Sequence, residues 1–296
     1  MAFEPQAFAT ALHWCREREA IRQRRAAGEP QPWTTDTILR QYRFCNLRRE
    51  DDRVTRWIAE HIREPYTDNP RLWFMLALAR HINWPPTLQE IILHGLWPER
   101  DYHTAEIVNA LKDRAARGEK VFTSAYILNN RSVQKGVSKV DCVVGTVLLD
   151  LWENREEIET YLATSGWPRS YRTMQRTHKL LNDINGIGPF MGYQICVDMR
   201  WTRYLCDAWD LQIWAAIGPG TRQGLNYLAG RPPRFILSQQ RALPELLALR
   251  RALVTEGIEL ELSDVTNVCC ETAKYIRVQR GEGRPRQNFR ANEGDY

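Results

Sequence analysis

Two carboxylates in the second half of the chain are the first candidates for chemistry. Asp207 and Asp210 lie 21 and 24 residues after Gly186. A carboxylate held near a reacting group can stabilise positive charge or act as a general base. The stretch 210-DLQI-213 is a candidate helix start, with Asp210 as its first residue. An Asp at such a position can also simply cap its helix, and the two interpretations are compatible.

The turn Gly186-Ile187-Gly188 lies between two predicted helices and is suited to bind a phosphate. Its glycines allow a tight turn with positive φ, and Pro189 is favoured at the first position of a helix. The N–H groups at the start of the second helix form an anion site, as for a DNA phosphate, and Gly192 is small where the two helices must approach. An ordinary packing corner with a solvated basic face is the alternative. Basic residues that could neutralise neighbouring phosphates lie just upstream: Arg169, Arg172, Arg176, His178 and Lys179.

Other charged groups have simple structural explanations. Arg222 follows the glycine-rich turn 218-GPG-220, which could cradle a phosphate, although a helix C-cap and linker explains it better without further context. The charged run 48–53 is, on composition alone, an exposed helix start with acids near the positive end of the dipole. Glu271 and Lys274 have the i, i+3 spacing of a helical ion pair.

The elements that must position these groups are mostly helices. Apolar residues recur at helical spacing in most of the chain, and residues 71–80 are apolar nearly all round, as in a buried helix. Segment 121–128 could be a strand or a buried helix, and 25–35 and 229–234 are predicted loops. The expected class is therefore all-α. The predicted helices are 51–63, 71–80, 87–94, 104–116, 140–151, 155–164, 170–182, 189–199, 210–217 and 242–256.

Length and composition bound the organisation of the chain. Its 296 residues suffice for a large core, and we expect one helical catalytic unit over 1–280, with two lobes of about 1–135 and 136–280 as the alternative. The polar residues 281–296 are predicted to form a flexible tail. The start lacks the features of a secretory signal, and no apolar run reaches the roughly 18 residues of a membrane helix. A cytoplasmic protein without membrane contact is expected.

Cysteine usage and motifs argue against cofactors. The seven cysteines include no CxxC pair, so neither a disulfide framework nor a zinc or iron–sulfur site is predicted. No flavin, nicotinamide, pyridoxal or haem signature is present, and we expect no cofactor and no metal. The net charge of +5 is too small to indicate nucleic-acid binding by itself.

The chain as a whole resembles the alpha-glutamyl/putrescinyl thymine pyrophosphorylase family, the amino acid:DNA transferases of phage thymine hypermodification. A related helical domain occurs in 5-hydroxymethyl-deoxyuridine DNA kinases, but these 296 residues contain no GxxxxGK[ST] loop, which favours the transferase branch. Phe44-Cys45 and 270-CETAK-274 depart from the family's usual residues and leave the finer substrate class open. The resemblance covers most of residues 10–290 and rests on the blocks 32–58, 121–128, 186–200, 218–228 and 264–277.

The turn 186–188, the spacing from it to Asp210 and the stretch 210-DLQI-213 also resemble helix–hairpin–helix DNA glycosylases, in which an Asp begins a helix a little over twenty residues after the hairpin. This resemblance makes Asp210 the first choice for the catalytic residue and implies a DNA-glycosylase-like helical fold. The family resemblance implies a reaction on double-stranded DNA. A separate kinase first converts 5-hydroxymethyluracil into a phosphate or pyrophosphate ester. This enzyme would then displace that group with an amino acid or a polyamine, which leaves the nucleophile on the C5 methylene. If the chain is phage-encoded, the host cytoplasm is the expected compartment.

The resemblance also implies roles for the residues singled out above. Asp210 or Asp207 would be the general base or electrostatic stabiliser. The base must leave the stack to react, so an aromatic residue would stack on it. Arg49, Arg53 and Arg222, with Asp52, would bind the leaving group, and Glu271 and Lys274 would bind the co-substrate. Tyr42, Tyr193 or Trp209 would stack on the flipped base. The DNA would be bound by Gly186, Ile187, Gly188, Arg172, Arg176 and Lys179.

Two other functions fit the same features. A helix–hairpin–helix DNA glycosylase would excise the modified base, leaving an abasic site and free base rather than a heavier base in intact DNA. A non-catalytic helical DNA-binding module would recruit partners, and Asp210→Asn would leave its activity unchanged.

Overall fold

The computed structural model describes residues 3–123, 136–163, 171–283, 285, 288 and 289, and in these residues the regular structure is helical. An isolated antiparallel bridge joins Tyr42 to Asn288. The predicted all-α class is confirmed for this part of the chain. Residues 124–128 of the ambiguous segment, Arg169 and most of the predicted tail lie outside the described residues. None of the helices described combines the length and apolar character that crossing a bilayer would need.

Fourteen α-helices are described, and two of them continue directly into π-helical turns, Ala59–Arg63 after α3 and Val143–Val147 between α7 and α8. A short 3-10 turn, Arg49–Asp51, precedes α3. The helices are α1 Pro5–Ala26, α2 Thr37–Gln41, α3 Arg53–Ile58, α4 Leu72–Ile82, α5 Pro85–Leu93, α6 Thr104–Ala116, α7 Lys139–Cys142, α8 Leu148–Glu153, α9 Arg155–Leu162, α10 Met174–Asp183, α11 Pro189–Met199, α12 Pro219–Leu228, α13 Gln239–Thr255 and α14 Leu262–Gln279.

The chain forms two compact units, and the first combines both ends of the sequence, up to Asp52 and from Gln212 onwards. Its organising element is α14, against which α1, α12 and α13 pack. The approach of α12 to α14 depends on small residues, since a Cβ on Gly224 would lie 2.2 Å from the carbonyl oxygen of Cys269. Helix α1 begins where the Glu4 carboxylate accepts two backbone N–H groups and Pro5 takes the first helical position.

The second unit runs from Arg53 to Leu211 and is built around α4. Every residue of α4 is buried, as the sequence predicted, and the helix packs against α11, α5 and α8. Arg80 of α4 binds both carboxylate oxygens of Asp198 on α11, and it also donates to the Thr55 hydroxyl at 2.9 Å. Asn83 ends α4 with a left-handed backbone, φ +48°.

Neither unit follows the lobes 1–135 and 136–280. The reason is the packing of α1 against α14, which places residues from the two ends of the sequence in one unit. The residue pattern within each helix does not predict such a long-range contact.

The helix predicted at 210–217 is wrong. Residues 214–217 have no regular secondary structure. The side-chain oxygen of Gln239 accepts from the N–H of Ile217 at 2.9 Å, and its side-chain nitrogen donates to the carbonyl of Ala215 at 2.8 Å. The segment therefore satisfies its backbone without a helix. The explanation of 218-GPG-220 as a helix C-cap is also wrong. These residues begin a helix rather than end one, because Gly218 is the N-cap of α12 and Pro219 is its first residue. The predicted helices also omit α1, α2, α12 and α14.

Candidate functional site

In the first unit, the polar face of α14 binds the backbone of the irregular segment 43–52. The residues of this face are spaced by three and four positions, so they lie in one row along the helix. Each bonds a different backbone group, which satisfies a segment that has little regular structure of its own. Asp264 accepts from Arg49 N at 2.9 Å, Asn267 donates to Asn46 O at 3.1 Å, Glu271 accepts from Cys45 N at 3.0 Å, and Lys274 donates to Arg43 O at 3.0 Å.

Arg18 of α1 and Asn46 tie the same segment together from within. Arg18 is buried, and its guanidinium donates to the carbonyl of Cys45 at 2.9 Å and to the side-chain oxygen of Asn46 at 2.8 Å. The backbone N–H of Asn46 in turn donates to Asp52 at 2.9 Å. Sequence reasoning missed Arg18, Asn46, Asp264 and Asn267. Their polar types are ordinary, and their importance comes only from contacts with distant residues.

The ionisable groups of this cluster have shifted pKa values. Burial raises the pKa of the Asp52 carboxyl, and the charge of Glu271 adds to this, while Arg49 and Arg18 oppose it. Burial alone would lower the pKa of Lys274, but the Glu271 carboxylate, 2.6 Å from its Nζ, leaves it raised. The Lys274 ammonium therefore stays charged at neutral pH, and Asp52 holds a proton more readily than an ordinary aspartate. Shifted groups that lie together are a recognised mark of functional sites.

A second polar group in the same unit joins α1, α2 and α14. The Asp36 carboxylate accepts two backbone N–H groups of α2, and it lies 2.7 Å from His13 Nε2 and 2.6 Å from the Tyr275 hydroxyl. Burial alone would raise the pKa of Asp36, but these hydrogen bonds lower it overall. Burial and the bond to Asp36 raise the pKa of Tyr275. The sequence could have shown Asp36 as a helix cap but not its partners.

The two groups are linked by Phe44. The Tyr275 ring lies 6.1 Å from the Phe44 ring, and Lys274 Nζ lies 4.3 Å from the centre of the same ring. The site of the first unit thus contains four residues that the sequence had singled out, Arg49, Asp52, Glu271 and Lys274. The spacing of Glu271 and Lys274 is confirmed as a helical ion pair. A role in binding a co-substrate stays a prediction.

Asp210 does not begin a helix. Its side chain is 2% exposed, and its two oxygens accept the N–H groups of Met174 at 2.8 Å and Gln175 at 2.9 Å. It therefore caps α10 rather than a helix of its own, because the chain after it forms turns and then an irregular stretch. Asp207 is exposed. A catalytic role for either residue stays a prediction.

The turn predicted around Gly186 lies at residues 184–188 and joins two helices, α10 and α11. Gly186 has φ +88°, whereas Gly188 has φ −76° and is the N-cap of α11, so only the first glycine uses the left-handed region. A Cβ on Gly192 would lie 3.4 Å from the His178 ring, which agrees with the expected close approach. Ile187 is buried and cannot reach a DNA phosphate through its side chain.

The basic residues near this turn differ in their partners within the protein and in their exposure to solvent. Arg172 donates to the carbonyl of Leu162 at 3.2 Å, and Lys179 binds Asp183 at 3.0 Å. Arg176 is exposed and lies 4.5 Å from the centre of the Tyr171 ring. DNA binding by this surface is a prediction that the fold permits but does not test.

The remaining predicted residues are scattered. Tyr42 and Tyr193 are buried, so neither offers a ring for base stacking as it stands, whereas Trp209 is 60% exposed. Arg222 is exposed on α12, and Arg53 is the first residue of α3 in the second unit. Among the described residues, no group of three or more His, Cys, Asp or Glu side chains is placed to hold a metal ion.

Comparison with known proteins agrees with the helical architecture. The chain matches the family described as “5-hmdU DNA kinase, helical domain” over residues 5–284. A protein of Bacillus phage SP10 named “5-hmdU DNA kinase” is 25% identical over 291 residues, which cover 90% of this chain and 44% of that relative. The chain thus spans less than half of the relative's length. No solved structure matches the chain.

Proposed function

Because this chain belongs to the family of the helical domain of 5-hmdU DNA kinases, we propose that it acts in the modification of 5-hydroxymethyluracil in phage DNA. Within that process we assign it the displacement step, in which an amino acid or a polyamine replaces the phosphate or pyrophosphate on the C5 methylene. These residues contain no GxxxxGK[ST] loop that would bind the phosphates of ATP, which supports displacement rather than phosphoryl transfer by this part.

One observation carries the proposal: the 43–52 segment and the polar face of α14 bring Asp52, Glu271 and Lys274 into one charged cluster. These residues belong to the first and last of the sequence blocks that resemble the transferases, although Cys45 and Glu271 are 226 positions apart. A site for an amine needs a carboxylate to bind the ammonium and a group to take its proton. Asp52, whose pKa is raised, is suited to the second task.

The displacement exchanges a C–O bond for a C–N bond at the C5 methylene. The C–O bond of the C5 substituent breaks, and its electron pair leaves with the phosphate or pyrophosphate oxygen. The proton of the incoming ammonium passes to the Asp52 carboxylate, and the lone pair of the freed amine nitrogen then forms the C–N bond to the methylene. Arg49 in the cluster and Arg222 on α12 are the cations assigned to the leaving group. Glu271 attracts the ammonium of the co-substrate before the transfer.

The experiment is nucleoside mass spectrometry of DNA that contains 5-hydroxymethyluracil, incubated with a 5-hmdU DNA kinase, ATP, the protein and a pool of amino acids and polyamines. We expect a thymidine adduct that requires both proteins, and its mass identifies the donor. Asp52→Asn should lower the rate by about 100-fold or more, whereas Asp113→Asn, at an exposed position, should not. An adduct formed by Asp52→Asn at the wild-type rate would show that the site is wrongly assigned.

A second candidate function follows from the comparison with the longer kinase. Since the chain matches only 44% of that relative, a helical DNA-binding module that serves a separate catalytic part also fits. If the chain is such a module, the nucleosides in the same assay stay unchanged without the kinase. With the kinase they gain no mass beyond phosphate. Release of free base would instead establish the glycosylase.

A further inference from the structure

The loop between α12 and α13 presents an apolar tip to solvent. Ile236 is 91% exposed and Phe235 is 39% exposed, while the next residue, Leu237, is buried. Single exposed apolar residues are common on proteins. This pair differs because it lies at the end of a loop whose backbone is held in place from inside the first unit.

Asn226 of α12, which is fully buried, holds the backbone of this loop in place. Its side-chain nitrogen donates to the carbonyls of Pro233 at 3.3 Å and Phe235 at 2.9 Å. Its backbone carbonyl accepts from Arg231 N at 2.8 Å. Two consecutive prolines restrict the same backbone further. The tip is therefore presented in a fixed conformation, which lowers the conformational entropy that binding would cost.

Arginines surround the tip. The guanidinium groups of Arg231 and Arg241 lie 5.4 Å and 5.9 Å from the centre of the Phe235 ring, and Arg234 is exposed between them in sequence. Residues 230–241 contain these three arginines and no acidic residue. Glu245 of α13 binds Arg231 at 2.7 Å and so offsets only that charge. An exposed apolar tip between cations is complementary to a base stack between two phosphate backbones.

We propose that the loop 231–236 inserts into duplex DNA, with Ile236 between adjacent base pairs and with Arg234 and Arg241 on the flanking phosphates. The inference rests on the proposed function, because a base that reacts inside a protein must first leave the stack. Insertion of an apolar side chain separates neighbouring bases and fills the space that a flipped base leaves. The loop thus opens the duplex, while the charged cluster of the first unit carries out the chemistry.

The test uses the full chain and a fluorescein-labelled duplex with 5-hydroxymethyluracil next to 2-aminopurine, whose fluorescence rises when it unstacks. Anisotropy gives the affinity and 2-aminopurine emission reports the opening. We expect Ile236→Ala to abolish most of the 2-aminopurine signal and to weaken binding roughly tenfold. The matched control is Leu93→Ala, which removes another apolar side chain that is 75% exposed, and it should change neither readout.

The arginines are tested by the salt dependence of binding. Arg234→Gln and Arg241→Gln should each lower the slope of log affinity against log salt by about 1, while Arg251→Gln, at another exposed position on α13, leaves it unchanged. The proposal is overturned if Ile236→Ala behaves like Leu93→Ala while wild-type protein binds DNA and forms the adduct; the proposed function then still stands. It is also overturned if the wild type does not bind the duplex. A third contrary outcome is a dimer of the wild-type chain that Ile236→Ala dissociates, because the tip would then join two copies of the chain.

Discussion

Gly224 offers a sharp test of the packing that holds α14 in place. A Cβ at this position would lie 2.2 Å from the carbonyl oxygen of Cys269, 2.5 Å from its carbonyl carbon and 2.7 Å from its Cα. These are backbone atoms of α14, so no side chain can rotate to make room. Gly224→Ala therefore requires the two helices to separate by about 1 Å, since ordinary carbon contacts begin near 3.5 Å.

The expected loss of stability is the difference between two effects. Overpacking a well-packed interface costs about 1–3 kcal/mol, and the upper end applies because the obstacle is backbone. Alanine in a helix interior recovers about 1 kcal/mol relative to glycine. The free energy of unfolding should therefore fall by roughly 2 kcal/mol, which lowers the melting temperature by about 4–8 °C for a protein of this size class.

Thermal unfolding followed by circular dichroism measures the effect. The control is Gly145→Ala, where the new Cβ would meet only a methyl carbon of Val108 at 3.6 Å, an ordinary contact. We expect Gly145→Ala to melt within about 2 °C of the wild type. If Gly224→Ala melts at or above the wild-type temperature, α12 and α14 do not approach as closely as described, and the account of their packing is refuted.

Three further substitutions test other parts of the structure. Asp198→Asn should destabilise the protein by about 3–5 kcal/mol, because Arg80 is 2% exposed and would keep a buried charge without its carboxylate; a melting temperature equal to that of the wild type contradicts this. His81 has its pKa lowered by burial from 6.5 to about 4, so its neutral form is favoured in the folded state and its stabilising contribution, complete above pH 6.5, is lost as the pH falls towards 4. Between pH 7 and pH 4.5 the free energy of unfolding, measured with urea, should fall by about 2–3 kcal/mol less in His81→Phe than in the wild type. An equal fall in both proteins rules the assignment out. Asp210→Asn should cost about 1–2 kcal/mol as the loss of a helix cap; the predicted catalytic role further requires the adduct rate of the folded variant to fall by orders of magnitude with DNA binding intact, and a rate within a few-fold of the wild type refutes it.

The sequence predicts those features that depend on neighbouring residues. Gly186 and Pro189 determine the turn and the start of α11 through backbone conformation alone, and the structure has both. The uniformly apolar stretch 71–80 predicts a buried helix, which is α4. In each case the physical cause lies within one helical turn of the residue.

The sequence does not predict contacts that join distant segments. Asp210 has the local pattern of a helix start, but its carboxylate caps a helix that begins 36 residues earlier. Glu271 was recognisable as a helical ion-pair partner of Lys274, yet its bond to Cys45 N spans 226 positions. Arg18 carried no signal at all, because a single arginine in an amphipathic helix is ordinarily a solvated residue.

The packing of α1 on α14 also has a consequence during synthesis on the ribosome. The second unit is complete once Leu211 has emerged, whereas α1, which ends at Ala26, must wait for α14, which begins at Leu262. At about 5–20 residues per second this delay is on the order of 10–50 s. Throughout it the apolar face of α1, with Trp14 and Ile21, has no partner from α14. The nascent chain therefore offers a hydrophobic segment to chaperones until α14 has emerged, and the second unit can fold before α1 is packed.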